Sequence, residues 1–244
     1  MSKFSENTVD MIFADPPYFL SNWWMTVHSG RMVKVDKWDW DKSTGTEDDF
    51  AFHIRWLEEA KRILKPDGTI WISWTYHSIY QCGYALQILG FHILNDISWF
   101  KPNAAPNLSC RFFTASHETI IWARKSKKWK HYFDYAAMKN GDWSGDLIKK
   151  PGLQMRSVWS VHPPKNWEKI HWKHPTQKPI DLLKRIIIAS TRDQDLILDP
   201  FSWSWTTGIA SEIVWGRKYI WIDQSKEYLD LTIKRYKDFK SNSN

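Results

Sequence analysis

Glycine is scarce in this chain, with 10 residues in 244, where a usage of ~7% would place about 17. Two cysteines, Cys82 and Cys110, exclude a disulfide framework and a four-cysteine zinc site. No apolar run approaches the ~18 residues of a membrane span. The opening MSKFSENTVD lacks the apolar stretch of a secretion signal. Neither sign of charge dominates: 34 Lys+Arg against 27 Asp+Glu leave a net charge of +7. That excess fits a nucleic-acid partner without requiring one. Together these absences predict a cytoplasmic protein with no membrane partner. Hydrophobic residues still make up 43% of the chain, which excludes wholesale disorder and supplies a core.

What is abundant is tryptophan, at 18 residues. Indole is bulky, whereas glycine goes where no side chain fits. An excess of one beside a deficit of the other poses the question of where each sits.

Periodicity is clear at both ends and weak in the middle. Val9–Ala14 reads as a strand that Asp15-Pro16-Pro17-Tyr18 stops. Residues 19–46 read as a long irregular loop. A helix is predicted over Glu47–Lys65, with Phe50, Ile54, Leu57 and Leu64 inward and Pro66-Asp67-Gly68 closing it. Thr69–Ser73 is a strand, Ser78–Leu89 a helix, and Phe91–Trp99 and Glu118–Ala123 two strands able to pair antiparallel. Beyond about residue 173 come a helix over Pro179–Ser190, a strand at Leu196–Leu198 and a helix over Thr206–Val214. A strand over Lys218–Ile222 and a helix over Ser225–Lys240 complete the chain. This alternation predicts an α/β fold, a doubly wound and mostly parallel sheet carrying an insertion. The expected division is 1–99, an insertion over 100–173, and 174–244.

Ligands of such sheets bind outside the carboxyl ends of the strands. Three predicted strands end in an acid: Asp15, Asp199 and Asp223. One acid there is more often a turn residue, but three converge on a site. Asp223 also follows Phe201 at about the ~20-residue spacing at which nucleotide-binding folds place a ribose carboxylate. No metal site is expected, because His162, His171 and His174 have no cysteine or paired acid at ligand spacing.

Asp15-Pro16-Pro17-Tyr18, His174-Pro175-Thr176-Gln177-Lys178-Pro179 and Asp199-Pro200-Phe201 followed by Thr206-Thr207-Gly208 resemble the amino-methyltransferases of DNA. Their order is similar to that of the β group of adenine-N6 enzymes. The segments Ala105–Phe113 and Glu118–Arg124 resemble the DpnA-type enzymes of GATC-specific restriction–modification systems. The resemblance implies a fold of the Rossmann-like, S-adenosylmethionine-dependent kind, with the insertion as the target-recognition region. It implies methyl transfer from S-adenosylmethionine to adenine N6 without a metal. Double- or single-stranded DNA is the implied partner, with the target adenine flipped out. A restriction enzyme is implied as partner within the system, and a homodimer is compatible with it.

On this reading Asp15 and the Pro16 carbonyl accept the N–H bonds of the amine, and Pro17 stiffens the turn. Tyr18 supplies a ring for a base taken out of the stack. Donor-binding residues by resemblance are Thr176, Gln177, Lys178, Asp199, Phe201, Ser202, Ser204, Thr206 and Asp223, with Lys178 facing the donor's carboxylate. Lys101, Asn103, Asn107 and Arg111 are expected on DNA. An N4-cytosine methyltransferase and an inactive DNA-binding relic are the alternatives.

The chain departs from the family at its glycines. The family's donor loop reads F-x-G-x-G, and here it reads Phe201-Ser202-Trp203-Ser204-Trp205. Trp23, Trp24, Trp38, Trp74 and Trp221 likewise stand where relatives look glycine-rich, and Trp172 and Trp215 resemble this set. Replacement of glycine by tryptophan thus accounts for both anomalies of composition. Indoles in the donor loop are expected to obstruct the donor and to strain the backbone.

Overall fold

The structure is a computed structural model. It describes residues 1–19, 25–28, 31–34, 41–143, 145–146, 152–165, 168, 177–202 and 205–242. Seven strands form one sheet in the order β7-β5-β6-β4-β1-β8-β9. They are β1 (Val9–Ala14), β4 (Leu64–Trp74), β5 (His92–Phe100), β6 (His117–Arg124), β7 (Val158–Ser160), β8 (Leu196–Asp199) and β9 (Lys218–Trp221). Only β6 runs against the others. The mostly parallel α/β fold expected from sequence is what forms.

Alternation along β1 explains the two-faced core. Ile12 and Ala14 join a cluster with Trp56, Leu57, Ala60 and Ile63 of α1 (Thr46–Ile63) and with Cys82 and Leu86 of α2 (Ile79–Ile88). Met11 and Phe13 point the other way, toward Leu183, Ile186 and Ile187 of α4 (Ile180–Ser190) and Ile209 of α5 (Thr206–Val214). Successive side chains on a strand face opposite sides, so a central strand must be apolar throughout. The remaining helices among the described residues are α3 (Tyr135–Asn140) and α6 (Lys226–Asn242). No helix among the described residues is long and apolar enough to cross a membrane.

Three local expectations change. The 19–46 stretch is not all loop, because β2 (Met25–His28) and β3 (Arg31–Lys34) pair as an antiparallel hairpin. Four-residue strands are too short to show as periodicity. Helix α1 ends at Ile63 and buries His53, Trp56, Leu57, Ala60 and Ile63, leaving Phe50 and Ile54 only half-buried. Pro66-Asp67-Gly68 does not separate helix from strand but lies within β4, where the β1 register jumps from Val9↔Leu64 to Met11↔Thr69. A bulge absorbs the proline that a regular central strand would exclude. Two strands of the main sheet, β6 and β7, come from the 100–173 stretch.

The order places β4 on one side of β1 and β8 on the other. From β1 the chain winds outward to one edge, then returns through α4 to build the other. The crevice between the carboxyl ends of β1 and β8 is therefore the topological switch point, where ligands of open α/β sheets bind.

Candidate active site

Asp15 stands at the end of β1 and is 4% exposed. Its Oδ1 accepts the Tyr18 hydroxyl at 2.8 Å and the Lys178 ammonium at 2.7 Å, and that ammonium also donates to the Tyr18 oxygen at 2.6 Å. Lys178 enters from the segment ahead of α4, two residues before the helix begins. Burial pushes the Asp15 carboxyl up against the pull of Lys178. Burial would push Lys178 down, but Asp15 and Glu118 outweigh it and hold the ammonium charged. The Tyr18 hydroxyl is raised well above its ordinary range by burial and by Asp15, so it stays a donor.

The chain around this triad is fixed by a residue the sequence reading did not single out. Asp41 is fully buried, and its Oδ1 accepts the backbone N–H of Tyr18 at 2.7 Å and of Phe19 at 2.9 Å. Proline cannot donate, so the turn after Pro17 takes its bonds from the next two amides. The Tyr18 ring meets Trp74 edge-on at 6.2 Å, while Pro16 and Pro17 are buried. A second unforeseen residue, Glu118 at the start of β6, lies 3.5 Å from the Lys178 nitrogen and pairs also with Lys101. Its signal was faint: one acid heading the apolar run Thr119–Ala123.

The two other strand-end acids lie at β8 and β9. Asp199, 6% exposed, accepts the Thr207 hydroxyl at 2.6 Å and the Phe201 N–H at 3.1 Å. Burial carries its carboxyl up to about 7 against these neutral donors, with Asp15 and Asp223 adding to the rise. Asp223 accepts the Ser225 N–H at 2.7 Å, and burial raises it to about 6. Its Oδ2 and the Ser202 Oγ are buried with no hydrogen-bond partner among the described residues. Such orphans are rare unless a ligand or water completes them.

Other site candidates fall as follows. Gln177 donates to the Glu168 carbonyl at 2.9 Å, Thr206 is buried in the first turn of α5, and Phe201 packs on Trp56 at 5.4 Å. Thr176, Ser204 and Trp203 lie outside the described residues, as do Trp23, Trp24, Trp38, Trp172, His171 and His174. No group of three or more His, Cys, Asp or Glu among the described residues is arranged to hold a metal.

Strand β5 ends on the same sheet edge as β1, and the 101–116 loop, which carries the residues expected on DNA, springs from there. Lys101 closes its root with an N–H bond to the Ser116 carbonyl at 2.8 Å. Its ammonium turns inward to Glu118 and over the Trp99 ring. Asn107 acts as the loop's frame: Nδ2 donates to the Phe112 carbonyl at 2.7 Å, and Oδ1 accepts from the Ser109 N–H and hydroxyl. Asn103 and Arg111 are exposed, as are Phe112 and Phe113.

The DNA methylase family model matches residues 9–234. The chain belongs to the DNA methylase family. As such it is a DNA methyltransferase, and DNA is its substrate. It is 51% identical to the type II methyltransferase M2.LlaDCHI of Lactococcus lactis subsp. cremoris, over 96% of this chain and 84% of that protein. It is 51% identical also to M2.DpnII of Streptococcus pneumoniae, over 96% and 85%. The solved M1.HpyAVI–SAM complex superposes with a TM-score of 0.66 at 27% identity, covering 94% of this chain and 89% of that one. The cytosine-N4-specific PvuII methyltransferase shares the fold, with a TM-score of 0.72 at 19% identity.

In this DNA methylase the tryptophans take an unexpected position. Trp205 has φ 56° and Trp215 φ 59°, both in the region that glycine tolerates and a bulky residue resists. Yet the Trp205 indole, 1% exposed, is turned into the core between α5 and α6, against Tyr219, Trp221 and Tyr236. It lies over Gly208, where a β-carbon would collide with it. Trp221 stacks on Tyr219 at 5.4 Å and pairs in register with Asp199.

Proposed function

We propose that this chain is the site-specific adenine-N6 methyltransferase of a restriction–modification system, with S-adenosylmethionine as methyl donor. The observation that carries it is the Asp15–Tyr18–Lys178 triad at the switch point, beside two buried orphan oxygens at the donor end. Those orphans suit the donor: Asp223 Oδ2 can accept a ribose hydroxyl, and Ser202 Oγ lies in the loop that would border it. Asp199, Phe201, Thr206 and Gln177 shape the same end, with Thr176 and Ser204 assigned there by resemblance. When bound, the donor supplies an electrophilic methyl on a sulfonium.

The protein's part is to make a poor nucleophile react. The lone pair of an exocyclic purine amine is delocalised into the ring. Asp15 and the Pro16 carbonyl accept its two N–H bonds and turn the lone pair out of the ring plane. As nitrogen becomes cationic, preorganised acceptors stabilise the charge with no reorganisation. Lys178, donating to Asp15 at 2.7 Å, favours the ionised carboxylate in a dry site. Tyr18, locked by its hydroxyl, is 5% exposed, so a base that leaves the duplex must open the cover over this ring before it can stack there.

The 101–116 loop, with Asn103 and Arg111 outward and Asn107 and Lys101 as its frame, faces DNA. It belongs to the target-recognition region, residues 100–173, between halves 1–99 and 174–244. The protein acts in the cytoplasm on double- or single-stranded DNA, its restriction enzyme cutting what it leaves unmarked; a homodimer is part of this proposal.

Incubation of unmethylated DNA with labelled donor, followed by sequencing of the modified base, tests the reading. N6-methyladenine at one recurrent site supports it. N4-methylcytosine instead, or no transfer by folded protein at saturating donor, overturns it.

A further inference from the structure

Glu118 belongs to no element the reaction obviously needs, yet it lies at the centre of a buried cluster of charges. One carboxylate oxygen, Oε1, pairs with Lys101; the other, Oε2, faces Lys178 at 3.5 Å and takes the Ser73 hydroxyl at 3.4 Å. Three separate parts of the fold therefore hold it: the end of β4, the root of the 101–116 loop and the segment ahead of α4. Lys178 in turn binds Asp15 and Tyr18. Among the described residues, two acids, Asp15 and Glu118, face two ammonium groups, Lys101 and Lys178. A buried charge that loses its partner is costly, so each member constrains the rest.

The division of Lys178 matters to Asp15. Asp15 Oδ1 already accepts both the ammonium and the Tyr18 hydroxyl. With Asp15 as its sole counter-charge, the ammonium would draw density from the carboxylate that must accept the amine's N–H. A second carboxylate on the far partner of that ammonium spreads the pull and leaves Asp15 the stronger acceptor. Acceptor strength follows basicity.

We propose that Glu118 is a positioning residue for methyl transfer: it anchors the Lys178 ammonium from β6 and shares its charge, so that Asp15 stays a strong acceptor. Through Lys101 the same carboxylate ties the catalytic centre to the root of the DNA-facing loop. The inference rests on the methyltransferase reading above and adds a residue that acts through Lys178.

Among the described residues the charges facing this cluster include Asp15, Tyr18, Lys101, Lys178 and Glu118 themselves, with Asp41 acting on Tyr18 and Asp15 in turn on Asp199. Burial would raise Glu118, but Lys178 and Lys101 outweigh it and hold it down at about 2, so it is charged at every working pH. Its charge raises both Asp15 and Lys178. Removing that charge must lower both.

The test is Glu118→Gln, nearly isosteric, read by carbon-13 NMR of labelled aspartate carboxyls in the donor-free protein and by steady-state kinetics. The Asp15 midpoint should fall, by on the order of one pH unit. The kcat should drop by up to ~10-fold, and the acid limb of its pH profile should move to lower pH, with KM for DNA within about twofold. Glu118→Asp, which keeps the charge, should hold the midpoint near the parent's. In a Lys178→Met background, Glu118→Gln should change kcat no further. An unmoved Asp15 midpoint in folded Glu118→Gln, or a loss confined to KM, overturns the inference. A parent protein that transfers no methyl group overturns the methyltransferase reading, while the carboxyl titration still decides the charge sharing.

Discussion

Asp15 and Asp199 end neighbouring parallel strands and are almost equally buried, at 4% and 6% exposure. Burial raises both carboxyls. At Asp15 a buried ammonium opposes the rise, whereas at Asp199 only a hydroxyl and an amide do, and the group is carried to about 7. The difference lies in the partners rather than the depth. Desolvation sets the same penalty on each, and a counter-charge decides whether the ionised form survives it. The carboxylate proposed to meet a developing positive charge carries its cation in advance. Asp199 and Asp223, proposed to meet the methyl donor, are left to neutral hydrogen-bond donors.

Removing the acid at the catalytic end breaks the comparison most severely. Asp15→Ala should lower kcat by about 100- to 1,000-fold and leave duplex affinity within about twofold, measured by single-turnover kinetics beside a binding titration. Transfer at the parent rate would end the assignment of Asp15.

At the donor end the largest expected effect comes from the indoles. Trp205 holds a left-handed backbone at an estimated cost of ~1–3 kcal/mol, and Trp221 pairs beside Asp199. Replacing Trp203, Trp205 and Trp221 together by glycine should tighten S-adenosylmethionine binding at least ~10-fold in isothermal titration, the equivalent of ~1.4 kcal/mol. Equal affinity of parent and variant would show that the inward indole of Trp205 leaves the donor undisturbed.

The smallest effect sharpens the comparison without a ligand. Asp199 keeps its proton in the fold up to about 7 and loses it near the ordinary 3.8 when unfolded. Its contribution is therefore fully present below about pH 4 and lost as pH rises to about 7, with a slope up to ~1.4 kcal/mol per unit. His53, buried neutral with its pKa lowered to about 4, gives the opposite slope below its unfolded value. The Asp199→Asn difference separates them: relative to the parent, the variant should gain stability between pH 5 and 7 in chemical denaturation. Parallel curves for the two proteins would rule out the raised carboxyl.

Much of this was legible beforehand. Hydrophobic alternation marked β1, α4, α5 and β9 because apolar side chains must face a core wherever the strand or helix period puts them. The acids after three strands pointed to the carboxyl edge, because every parallel strand ends there. Helix α1 was found but rotated, since His53 and Trp56 count as polar or ambivalent until their neighbours are known. The hairpin at 25–34 carried too few residues to show a period.

Sequence by itself determined the strand and helix alternation, the family resemblance and the candidates at the switch point, all properties of local pattern and spacing. Only the tertiary structure decided that Lys178 turns to Asp15, that Asn107 frames a loop, and that Glu118 and Asp41 belong to the site. Lys178 and Asp15 are separated by 163 residues in sequence, and no local rule relates side chains that far apart. It also decided where Trp205 went. The same indole, on the same left-handed backbone, could face ligand or core, and the rings of Tyr219, Trp221 and Tyr236 gave it apolar partners on the inner side. That choice is made by packing, which exists only once α5, α6 and β9 are assembled.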